Sequence, residues 1–216
     1  MTENPTVAVR GEAVREVEPE LAQLTVTVAA RDSDRERTLR RLAERAEALR
    51  RLLDGYAESI ERRETSGVHV HPETRKGSGE RVRAYTGSVS TTVTFSDFSD
   101  LGEVVLTLAD QDQTSVYGPY WSLRPDSPAY REARRAAIAD ALGRAREYAD
   151  ALGARLVRLV ELTDSGLGGE HGPQPMMMAA RAELGGSPQL ELDPARQTVR
   201  AAVEARFAIS EPTVLG

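Results

Sequence analysis

The chain has 216 residues, 40% of them hydrophobic and 29% charged, with a formal net charge of −6. That length can bury a real core as one large domain or two small ones, and the acidic balance argues against nucleic acid as the main ligand, since phosphate binding needs a basic face. The absence of cysteine excludes disulfides, thiolate metal sites and cysteine nucleophiles.

The opening MTENPTVAVRGEAV has neither a basic n-region nor an apolar h-region, so it reads as lacking a secretory signal. No window approaches the roughly eighteen apolar residues of a membrane span, and the expected location is cytoplasmic. Val7, Val9 and Ala13 predict a first strand that bends at Gly11. Pro19 cannot donate to a ladder and ends it. Leu24, Val26, Val28 and Ala30 alternate with Gln23, Thr25 and Thr27, predicting a second strand with one wet face.

Ser33 and Glu36 have capping-box spacing, and Leu39, Leu42, Ala46, Leu49, Leu53 and Tyr56 follow at helical steps. The expected helix, 34–54, stops at Gly55 and lies on a sheet instead of forming a coiled coil. A short strand at Val68 and Val70, a polar loop over 72–79, and a long strand from Arg81 to Phe95 make a hairpin. A short helix over 100–109 buries Leu101, Val104, Val105 and Leu108, and a strand covers 115–123.

Ser127 then caps a second long helix with Pro128 at its first position, where a missing N–H costs nothing. Its predicted stripe is Tyr130, Ala133, Ala137, Ala141, Ala145, Tyr148 and Leu152, mostly small residues that permit close approach, and Gly153 supplies the left-handed stop. A strand over 156–162, an irregular Gly/Pro/Met-rich loop over 164–195 and a faultlessly alternating strand from Gln197 to Ile209 complete the chain. The order β-β-α-β-β-α-β-α-β-β, with hairpins and polar alternate faces, predicts α+β: a largely antiparallel sheet with helices packed on it. The chain reads as one domain over 1–216. A loose internal similarity (each half holds a long helix followed by two strands) admits two sub-lobes.

Groups able to do chemistry are few. His69 and His71, two apart on a strand, share a face and could hold a divalent ion, but no third ligand is identified, and they also fit the polar face of a half-exposed strand. His171 with Met176, Met177 and Met178 suits a soft metal such as Cu(I). Consecutive residues of an extended segment point in opposite directions, however, so the three methionines fit an adaptable contact surface better. No nucleophile elbow, phosphate loop, dinucleotide fingerprint or zinc-protease motif is present. No cofactor and no enzyme activity are expected.

The order of pieces resembles the SIMPL-domain family. Val7 to Val14, followed by Glu18-Pro19-Glu20-Leu21-Ala22, is similar to the family's V-x-G-x-G-x-V and P-D-x-A opening, with Glu12-Ala13 and Glu20 departing from the usual Gly and Asp. Tyr85-Thr86-Gly87, the strand to Phe95, Asp97-Phe98 and Leu101-Gly102 fit its middle. Ala133 to Ala141, Ala149 to Gly153 and Val157 to Glu161 fit its later part, as does the Pro/Met-rich connector before the last strand. The resemblance covers roughly residues 5 to 210, and the order of its motifs is more specific than any one of them. It implies no catalytic residue set. The family's bacterial members include periplasmic stress-linked and immunogenic proteins, one of which assembles into a ring, and an animal member is an adaptor that binds an interleukin-receptor-associated kinase. The expected function is therefore self-assembly and protein–protein contact in a stress response, with Met176, Met177 and Met178 as contact residues and a homo-oligomer as the first partner. The alternative is a metal- or small-ligand-binding protein using the His and Met residues.

Overall fold

The computed structural model describes residues 5–74, 82–165 and 190–214. Its elements are β1 (Thr6–Val17), β2 (Leu21–Asp32), α1 (Arg35–Asp54), β3 (Ile60–Thr74), β4 (Val82–Phe95), α2 (Leu101–Ala109), β5 (Thr114–Ser122), α3 (Pro128–Ala151), β6 (Leu156–Asp164) and β7 (Gln197–Ile209). The predicted order and the α+β class hold, but the strands form two sheets, ordered β1-β7-β6 and β3-β4-β2-β5. Every pairing in them is antiparallel. The described residues divide into two compact units, one holding 5–18, 123–165 and 196–214, the other 19–74, 82–122 and 190–195.

In the four-stranded unit, β2 is central and its alternation sets the core. Ala22, Leu24, Val26, Val28 and Ala30 are all buried, packed with Val93 and Phe95 of β4, Leu42, Leu49 and Leu53 of α1, and Leu101, Val104 and Leu108 of α2. Phe98 and Trp121 meet edge to face at 4.9 Å at the margin of this cluster.

Two details of α1 differ from the sequence expectation. Its N-cap is Asp34, whose carboxylate accepts the Arg37 N–H at 2.8 Å, while the Ser33 hydroxyl turns to Asp32. The face turned to the sheet takes Thr38 inward, one turn before Leu42, in place of Leu39, which is 42% exposed. Buried Thr38 is tolerable because its hydroxyl donates to the Asp34 carbonyl at 2.8 Å. Gly55 closes the helix in an ordinary right-handed conformation, φ −67°. β3 is far longer than the short strand expected at Val68 and Val70. Its first half, with Arg62, Arg63 and Glu64, is too charged to show a strand pattern and is held by pairing with β4.

In the three-stranded unit, β1 does not bend at Gly11. Its pairing with β7 runs unbroken from Thr6–Ala208 to Val17–Gln197. The glycine serves close approach instead: a Cβ there would lie 2.1 Å from the Ala137 carbonyl oxygen and 2.5 Å from the Ala141 nitrogen. The α3 backbone thus sits directly on β1, and its buried stripe is correspondingly alanine: Ala129, Ala133, Ala137, Ala141, Ala145 and Ala149. The stripe is centred one step away from the predicted one, so Ala149 points inward and Tyr148 is 58% exposed. Ser127 and Pro128 start α3 as expected, and Gly153, φ +65°, follows its last turn in the left-handed region.

Candidate interaction surfaces

Met176, Met177, Met178 and His171 lie outside the described residues. His69 and His71 are on β3, opposite Ser88 and Thr86 of β4, and so share one exposed sheet face. Glu73 is the next acid along that face, and it is engaged already. It accepts from Nε and Nη2 of Arg31, the latter at 2.7 Å, and from the Thr86 hydroxyl. These bonds, Arg31 foremost, hold its carboxyl well below the usual range, at about 2. Among the described residues no group of three His, Asp or Glu side chains is placed to hold a metal ion.

The most unusual surface is β6, which the sequence marks only as one more apolar strand. Among the described residues it is an edge of its sheet, and α3 lies on β1 and β7 while barely reaching it. Leu156, Leu159 and Leu162 stand opposite Ile209, Phe207 and Ala205, the buried residues of β7, so they point toward the helix side. That three-residue spacing is possible because the register shifts twice, between Leu156 and Arg158 and between Leu159 and Glu161. The residues passed over at the shifts are Val157 and Val160.

Leu156 packs against the core, but among the described residues the rest of this apolar surface stays about half exposed. Val157 is 55% exposed, Leu159 50%, Val160 43% and Leu162 45%. Scattered exposed apolar residues are ordinary, but four within six positions of one strand at the edge of the described sheet are a concentrated apolar set. Covering each would gain about 1 kcal/mol, roughly half the value of burying such a side chain entirely. The other face of the same sheet is charged, with Arg10, Glu161, Glu204 and Arg206 around a shallow depression. Apolar contact is therefore confined to the β6 edge and its helix side. No signal in the sequence separates β6 from a buried strand, because exposure here depends on where α3 ends its cover.

The β3–β4 hairpin carries a smaller exposed set, Val68, Val70 and Val82. It belongs to the other unit.

Comparison with known proteins agrees with the resemblance in the sequence. The chain matches the SIMPL family, described as a protein of unknown function (DUF541), over residues 7–207. It is 29% identical over 193 residues to the 26 kDa periplasmic immunogenic proteins of Brucella melitensis and Brucella abortus, an alignment covering 83% of this chain and 73% of each relative. With both long helices and nearly all of β1 and β7 inside the matched region, the chain belongs to the SIMPL family.

Proposed function

We propose that this chain is a non-enzymatic SIMPL protein that acts by self-assembly and protein–protein contact. The observation that carries this reading is β6, an edge strand whose Val157, Leu159, Val160 and Leu162 are all exposed. A second copy can extend the sheet through backbone hydrogen bonds while covering these side chains, the usual mode of strand addition. Met176, Met177 and Met178 follow β6 in sequence and supply soft, adaptable apolar contacts to the same association. The metal-binding alternative has less behind it, since His69 and His71 gain no third described ligand.

The stress-response setting follows from family resemblance. The Brucella relatives are periplasmic immunogenic proteins, which supports an envelope setting over the cytoplasmic one expected from the N-terminal sequence. Cell fractionation decides between the two. Sedimentation velocity on the chain and on a Leu159→Lys/Leu162→Lys variant tests the assembly surface. The chain sediments as an assembly and the variant as a monomer with unchanged far-UV circular dichroism. Equal sedimentation of the two removes β6 from the account.

A further inference from the structure

The face of the four-stranded sheet turned away from α1 and α2 carries two tyrosines on β5. Tyr117 stands opposite Thr25 of β2 and Tyr120 opposite Gln23, and the β2 residues between them in the alternation, Leu24 and Val26, are buried on the helix side. Three apart in sequence, the two rings would fall on opposite faces of a regular strand. The β2–β5 register shifts between Gln23 and Thr25, and the extra β5 residue brings both rings to one side. Gly118 makes the shift possible: its φ is +116°, and a Cβ there would lie 2.6 Å from the Gln23 carbonyl oxygen. Tyr117 is 60% exposed and Tyr120 38%. Each ring opens a row across the sheet, one continuing through Thr25 to Thr92 and the other through Gln23 to Thr94. The rows are two β2 residues apart, roughly 7 Å.

The chemistry of this face is set by what surrounds the rings. In a chain that is 29% charged, the outward positions of β2 over 23–29, β4 over 88–94 and β5 over 115–120 carry no charge at all. They are serine, threonine, one glutamine, one alanine and the two tyrosines. Charges return at the margins as neutralised pairs, Arg62 with Glu64 at 3.4 Å on β3 and Arg31 with Glu73 at 2.7 Å. Such a face gives neither a cation nor an anion any net attraction. Its hydroxyls and its amide both donate and accept, as the Thr27 and Ser90 hydroxyls do with each other at 2.8 Å. That is the hydrogen-bonding character of sugar hydroxyls, and a tyrosine ring offers a flat apolar surface for the C–H face of a pyranose at little cost in side-chain entropy. A protein interface is instead centred on a packed apolar core, whereas these rings are flanked by hydroxyls. A sheet face is broad and shallow, so it fits a ribbon and not a coil.

We propose that this sheet face binds an uncharged, ribbon-like β-1,4-linked glycan. Tyr117 and Tyr120 stack on two of its pyranose rings, while Gln23, Thr25 and Thr92 exchange hydrogen bonds with its hydroxyls. The site is independent of β6 and of the self-assembly reading. The test is an NMR titration of the full chain with cellotetraose and chitotetraose, with coiled maltotetraose and anionic tetragalacturonate as comparison arms. At least one β-1,4 probe produces saturable shifts in the amides of Gln23, Thr25, Tyr117 and Tyr120, and binds more tightly than either comparison sugar. Tyr117→Ala weakens it about tenfold, the value of one stacked ring, and Tyr117→Phe restores most of the loss. Absence of saturable shifts with both β-1,4 probes, equal binding of maltotetraose or tetragalacturonate, or unchanged affinity in Tyr117→Ala each overturns the assignment. A Tyr117→Ala/Tyr120→Ala variant that sediments more slowly than the unsubstituted chain without any sugar also overturns it, by giving the face to a second copy. Should the alanine variants fail to fold, the titration of the unsubstituted chain still decides.

Discussion

Replacing Gly11 by alanine places a methyl group inside the contact between β1 and α3. The added Cβ lies 2.1 Å from the Ala137 carbonyl oxygen, 2.5 Å from the Ala141 nitrogen and 2.6 Å from the Ala141 Cβ. Ordinary contact begins at 3.4 Å, so relieving the worst overlap requires a separation of 3.4 − 2.1 = 1.3 Å, taken up by backbone because no flexible side chain is involved. Six buried alanines line α3. At about 0.8 kcal/mol per methyl, the stripe contributes roughly 5 kcal/mol. A gap near 1 Å forfeits about a quarter to a half of such contact energy, or about 1–2.5 kcal/mol. Residual overpacking strain adds about 1–3 kcal/mol. The expected destabilisation is therefore about 2–5 kcal/mol, read as a lowered urea midpoint in circular dichroism. Gly143→Ala is the control, since its added Cβ meets nothing within 4 Å and α3 gains up to about 1 kcal/mol of helix propensity. A Gly11→Ala cost under about 0.5 kcal/mol would refute the close-approach account.

Three further outcomes are expected. Asp34→Ala removes the acceptor of the Arg37 N–H and costs about 1 kcal/mol by thermal or urea unfolding, whereas Ser33→Ala changes little. Glu73 has its folded pKa depressed from 4.5 to about 2, so the stability it contributes is present above pH 4.5 and lost as pH falls toward 2. Urea midpoints of the chain and of Glu73→Gln should differ at neutral pH and converge through that acid window; a constant gap contradicts the Arg31 pairing. Copper titration by calorimetry separates the two readings of the methionine run: no stoichiometric heat is expected, and heat abolished by His171→Ala would restore the metal reading.

The parts of the fold legible in the sequence are those where one periodicity dominates. β7 reads correctly from Gln197 to Ile209 because one face meets α3 and the other meets solvent along most of its length, up to buried Ala208. α3 starts where Ser127 and Pro128 place it, and its alanines announce close packing. The exact inward centre was not legible: Tyr130 and Ala129, or Tyr148 and Ala149, are neighbours on the helix, and only contact with β1 and β7 chooses between them. β3 was hidden because its charged first half owes its conformation to β4, a partner that local pattern does not reveal. Gly11 fits a bulge or a close approach equally well by residue type, and the unbroken register with β7 decides for the second. The same limit governs the candidate surface. Apolar residues at Val157, Leu159, Val160 and Leu162 look like core, and their exposure follows from two register shifts and the limited reach of α3.

Light scattering coupled to size exclusion, on the purified chain at high micromolar concentration, tests the central claim most directly. Self-assembly through β6 predicts a mass that is a multiple of 23.5 kDa and falls toward that value on dilution. A single species at the monomer mass across the whole concentration range contradicts it.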